Sequence, residues 1–143
     1  MKLWQSLYLM IWLAFFEIIL VMNPYMDTFL KRIIHVLLGA GMLALAYWNV
    51  QMLRDSQAPD RVKRISRATL GLAVAAGVTG LLFFPIYYYN LDFIRWLFEF
   101  VHVGIALTII AQASSTATGY DMWEEKELGG PAPGKEAGAR EPA

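Results

Sequence analysis

The residues best suited to carry chemistry in this chain are its two histidines, His35 and His102. Each follows an asparagine (Asn23 or Asn90) by twelve positions, and each is followed by Val and a run of small and aliphatic residues. Asparagine is a preferred helix cap, so the repeat predicts two helices that carry an imidazole at the same distance from their starts. If both helices cross a bilayer in the same direction, the two rings lie at one depth. That is the geometry needed to ligate a flat metal macrocycle from both faces. A low-dielectric surrounding favours neutral imidazole, the form that binds metals.

The chain has no cysteine. This excludes a disulfide framework, thiolate-held iron–sulfur clusters and covalent haem attachment. The expected cofactor is therefore non-covalent haem b, with His35 and His102 as the metal ligands. Iron saturated by two imidazoles passes electrons and offers no open position to oxygen. Gly39 and Ala106 each lie four residues after a histidine, on the same helical face, and would let a plate-like group approach closely. Lys31, Arg32 and Arg95 precede the histidines by no more than about two turns, where they would meet anionic propionates. These residues and the two histidines form the predicted cofactor-binding set, and no residue is assigned a catalytic role.

Other uses of the same residues stay open. The matched histidines are also what a duplication that kept no cofactor would leave, and each could simply hydrogen-bond across helices. They could ligate a pigment such as bacteriochlorophyll. Glu17 lies inside an apolar run, where a carboxylate costs about 2.5–3.5 kcal/mol to insert. With Glu99 and a histidine it could form a proton relay in a transporter or enzyme, or it could pair with an arginine of another span.

These side chains need helices to position them. Apolar residues make up 57% of the 143 residues and formal net charge is zero, with mean hydropathy +0.43. Such a composition lies far from that of a soluble domain. Four apolar runs, at about residues 3–22, 29–50, 68–86 and 91–113, each reach the about 20 residues that a membrane helix requires. The first run is too long for a signal-peptide core, contains Glu17 and precedes no small-x-small cleavage site, so it is expected to remain as a span. Trp4, Tyr8 and Trp12 form one stripe on it. The third is rich in Gly and Ala, and Ala73 with Gly77 and Ala76 with Gly80 read as small-xxx-small packing pairs. Pro85 is expected to kink or end that helix. Phe83, Phe84, Tyr87, Tyr88 and Tyr89 form an aromatic belt before a tight turn at Asn90. On the fourth run Arg95, Glu99, His102 and Ala106 share one face.

The segment from Gln51 to Arg67 carries Arg54, Arg61, Lys63, Arg64 and Arg67 against two aspartates. By the positive-inside rule it is cytoplasmic, as are both termini. Asp121–Glu127 reads as a short amphipathic piece at that surface. The Gly/Pro/Ala-rich stretch from Gly129 reads as disordered. The expectation is thus an all-α polytopic membrane protein: a four-transmembrane-helix up-down bundle built as two hairpins, in the plasma (inner) membrane. Residues 1–120 form the transmembrane domain and residues 121–143 a cytoplasmic, largely disordered tail. No basic domain or nucleic-acid module is visible, so no nucleic-acid partner is expected.

The span layout and the paired histidines resemble the small four-helix membrane cytochromes b, anchor subunits that link a peripheral dehydrogenase or reductase to quinone. The larger di-haem members differ, because two histidines supply only one bis-imidazole site. The resemblance implies electron transfer between a partner redox subunit and the quinone pool, with quinone binding among the outer tyrosines and Glu17, Glu99 or Arg95. The alternative is a cofactor-free accessory subunit that stabilises a larger membrane enzyme complex. In neither case is independent enzyme activity expected.

Overall fold

A computed structural model describes residues 3–23, 25–26 and 28–128. It contains four helices: α1 (Leu3–Met22), α2 (Thr28–Arg54), α3 (Asp60–Tyr88) and α4 (Asp92–Leu128). All four are long and apolar enough to cross a membrane. Each packs against its two neighbours in a closed ring, α1 on α2, α2 on α3, α3 on α4 and α4 on α1. The α1/α3 and α2/α4 pairs lie across the two diagonals. The chain is an all-α four-helix bundle with the helices of a polytopic membrane protein. Two ends can be distinguished: a terminal end, with the start of α1, the α2–α3 connection and the end of α4, and a far end, with the α1–α2 and α3–α4 turns.

Three cross-helix contacts define the α3/α4 register. Val62 Cγ2 lies 3.3 Å from where a Cβ on Gly119 would sit. The Thr69 hydroxyl reaches Gln112 Oε1 at 3.1 Å. Thr79 Oγ1 lies 3.0 Å from His102 Nδ1. The residue numbers of each pair add to the same value, so the two helices run antiparallel without slippage from one end to the other.

Packing is concentrated at the terminal end. Met10, Ala14, Met42, Ala46, Ala73, Ile109 and Ala113 form one buried cluster. Leu3, Leu7, Leu53, Ala58, Val62 and Ala117 form a second, covered by Tyr120 and Trp123. Between these layers the Ser6 hydroxyl bonds the side-chain amide of Asn49; both residues are buried. Toward the far end the only buried hydrophobic residues are Leu20 and Ile86, among those described. The half that holds the histidines is therefore the more open half.

The second cluster explains why three helices outrun their expected spans. α3 begins at Asp60 rather than near residue 68, because Val62 and Ala58 are needed to close that cluster. α4 does not break near residue 113. It continues as one helix of 37 residues, about 55 Å at the usual rise and well beyond an apolar thickness of about 30 Å. Its extension is held by Tyr120 and Trp123 on the cluster and by a Tyr8 hydroxyl bond to Asp121 Oδ2 at 2.9 Å. The helix thus runs through the boundary expected at residue 120. The stretch expected to be disordered, from Gly129, lies outside the described residues.

Neither asparagine acts as expected. Asn23 turns its Oδ1 onto the Tyr25 N–H at 2.9 Å, and α2 starts only at Thr28. Asn90 closes α3 instead of capping α4. It has φ 51°, and the Leu91 N–H bonds the Ile86 carbonyl at 2.9 Å while the Asn90 N–H reaches the Tyr87 carbonyl. This is a Schellman motif, in which Asn is one of the few residues that accept the left-handed conformation. Pro85 lies inside α3, close enough to the end that little of the ladder follows it.

Candidate functional site

The polar layer in the open half draws on all four helices. α1 supplies Glu17, α2 His35, α3 Thr79 and Phe83, and α4 His102. The His35 and His102 rings are 5.9 Å apart, centroid to centroid, at 69°. Their side chains bridge a diagonal along which the two helices make no close backbone approach. The Phe83 ring meets His102 edge-on at 5.8 Å.

Of the two imidazoles, only His102 has a hydrogen-bond partner at Nδ1. His102 Nδ1 faces Thr79 Oγ1 at 3.0 Å. The Thr79 hydroxyl has a single proton, and the carbonyls of Ala75 and Ala76 lie 2.9 and 3.0 Å away. When it donates along its own helix it accepts from His102 Nδ1–H, and in that tautomer Nε2 is the free lone pair. His35 Nδ1 lies 3.6 Å from Glu17 Oε2. That is ion-pair range but beyond a hydrogen bond. Glu17 Oε1 and His35 Nδ1 are both buried without a hydrogen-bond partner, an arrangement that is rare without a reason.

Glycines let these groups come together. A Cβ on Gly80 would lie 3.5 Å from His102 Cε1, and one on Gly39 would lie 3.7 Å from Glu17 Oε1. Gly39 thus borders the carboxyl group rather than an imidazole. Of the expected small-residue pairs on α3, Ala76 and Gly80 both face the interior, whereas the other is split, with Ala73 buried and Gly77 exposed. Ala106 is half-buried one turn beyond His102.

The cations expected beside the histidines gather toward the far end. The Arg32 and Arg95 guanidinium carbons lie 5.6 and 5.9 Å from the ring centroid of Tyr87. Arg95 also bonds Asp92 at 2.9 Å and approaches Glu99 at 3.5 Å. Lys31 folds back on the Asn23 carbonyl. The cation–π arrangement around Tyr87 was not read from the sequence, although the dense tyrosines after Pro85 were the available signal.

The donor set fits a bis-imidazole metal centre in one respect. With metal–nitrogen bonds of about 2 Å on both sides, ring centroids would stand roughly 6 Å apart. A hydroxyl at Nδ1, as Thr79 gives His102, is the usual outer support of such a ligand, and His35 Nδ1 has no equivalent bond. Among the described residues no group of three or more His, Cys, Asp or Glu side chains is placed to hold a metal ion. A groove of about 310 Å³, lined by Tyr8, Ile11, Trp12, Ser114, Ala117 and Thr118, lies toward the terminal end, away from the histidines.

No protein-family model matches this chain, and no curated protein or solved structure matches it either.

Proposed function

We propose that this chain is a non-catalytic subunit of a larger membrane assembly, against which its outer helix faces pack. The observation that carries this reading is the placement of its glycines. A Cβ added at Gly41, Gly71, Gly77 or Gly104 would meet nothing within 4 Å. A glycine inside a helix costs about 1 kcal/mol relative to alanine, and facing lipid alone it contributes no contact in return. In membranes, small residues on a helix face are favoured where another helix comes close. Gly77 and Gly104 obey the α3/α4 register rule, so they stand at one depth on adjacent helices, and both are exposed. Exposed Val74, Val78 and Val103 lie near them in sequence. In this reading the terminal end, with the basic Gln51–Arg67 segment, faces the cytoplasm from the plasma membrane, which the positive-inside rule supports.

Because the chain lacks cysteine, Gly77→Cys and Gly104→Cys each introduce a unique thiol. In native membranes both should cross-link to a membrane protein or a second copy, whereas Ile19→Cys, at an exposed position on α1, a helix without glycine, should not. Gly77→Leu should shrink the native assembly while leaving the bundle helical. Absence of an adduct at both positions together with an unchanged assembly size rejects the reading.

A second reading is favoured by the 5.9 Å separation of the imidazoles. His35 and His102 would hold a haem b, with Thr79 orienting His102 through Nδ1 and Glu17 facing His35 at 3.6 Å. The group would supply one-electron transfer, for a partner redox subunit and quinone. In the tautomer that gives its Nδ1–H to Thr79, His102 presents Nε2 as a ligand.

A further inference from the structure

We propose that Arg32, seated on Tyr87 beside Arg95, binds the phosphate of an anionic phospholipid at the far end of the bundle. Two positively charged guanidinium groups from diagonal helices, α2 and α4, are brought to one aromatic ring of α3. The ring face attracts each of them, but they repel one another. Arg95 is compensated by Asp92 and Glu99 on its own helix. Arg32 has no carboxylate within ion-pair distance among the described residues, and it is exposed. Its planar fork is suited to bidentate bonds with phosphate oxygens. One anion at Arg32 would offset the repulsion and supply the missing partner.

The position identifies the source of the anion. Tyr87, Tyr88, Tyr89, Phe93 and Trp96 are exposed around the cluster, and the Trp96 indole N–H is satisfied within α4 by the Phe93 carbonyl. Exposed Tyr and Trp collect at the depth of lipid headgroups, so a phosphate at this level is most simply that of a lipid. The inference concerns a lipid site and does not rest on the packing of partner helices or on the histidine pair.

The test is native mass spectrometry of the full chain released from mixed phosphatidylglycerol and phosphatidylcholine vesicles. One phosphatidylglycerol should be retained in preference to phosphatidylcholine. Arg32→Gln should weaken that retention about fivefold, the worth of one basic side chain at an anionic surface. Arg32→Lys, which keeps the charge without the planar fork, should retain an intermediate share, and Arg64→Gln in the basic segment at the opposite end should change nothing. Equal retention of both lipids, or retention unaffected by Arg32→Gln, overturns the proposal. A third arm adds inorganic phosphate. If it displaces the lipid at millimolar concentration, the site is one for free phosphate and the lipid assignment is overturned.

Discussion

His35 and His102 lie on helices that make no backbone approach to one another, yet their rings stand 5.9 Å apart across the diagonal of the bundle. Helices on a diagonal are separated by the width of the core, so side chains alone span the gap. Imidazoles do so here because the surrounding layer is thin: Gly39 and Gly80 remove bulk on α2 and α3, and the tightly packed clusters lie toward the other end. The same openness leaves Glu17 Oε1 and His35 Nδ1 buried but unpartnered.

If the imidazole pair holds haem, the chain purified in mild detergent will show a sharp b-type band in a reduced-minus-oxidised spectrum, at about one haem per chain. His35→Ala and His102→Ala will each abolish the low-spin spectrum. Thr79→Val will keep the band but alter it, because His102 loses the acceptor for its Nδ1 proton. A featureless spectrum from folded, helical protein eliminates this reading and leaves the packing role alone.

The Ser6–Asn49 contact joins α1 to α2 in the tightest part of the core. The Ser6 hydroxyl also lies 2.8 Å from the Leu3 carbonyl, and its single proton serves one of the two oxygens at a time, so Ser6→Ala removes one shared donor from a site closed to water. The expected cost is about 1 kcal/mol, in line with interhelical hydrogen bonds in membrane proteins. Reversible unfolding in mixed micelles, applied to Ser6→Ala, Asn49→Leu and the double variant, should give a coupling energy of about 1 kcal/mol. Strict additivity would mean that the contact does not hold the two helices together.

Topology can be read with single thiols. Ser56→Cys at the terminal end and Tyr89→Cys at the far end are both in exposed or half-exposed turns. With the basic segment cytoplasmic, an impermeant maleimide added to intact cells will label Tyr89→Cys and spare Ser56→Cys until the membrane is opened. The reverse pattern inverts the orientation. It would also move the Arg32 lipid site to the other leaflet.

Much of the fold was legible without coordinates. Four long apolar runs in an otherwise polar chain admit few arrangements, since a membrane helix must satisfy its backbone internally. The first span was placed at residues 3–22, the bounds of α1, because polar and turn-forming residues follow it directly. The ends of α2, α3 and α4 were less visible. Hydropathy reports where lipid begins and ends, whereas these helices are prolonged by Leu53, Val62, Tyr120 and Trp123 packing together beyond the apolar stretch.

Local residue type determined that this chain forms membrane helices and that its only two imidazoles lie at matched positions along two of them. Tertiary structure decided how each polar side chain is used. Asn90 looks like a helix start in sequence, but the backbone it must turn makes it the close of α3. Arg95 reads as a cation for a bound group, yet Asp92 and Glu99 lie one turn away on either side of it and take its charge, while Arg32 keeps its own. Thr79 and Glu17 gave no sign of which imidazole each would meet. Periodicity assigns a residue to a face of its own helix; which groups meet there depends on the rotation and register of the neighbouring helices, and those are set by packing over the whole bundle.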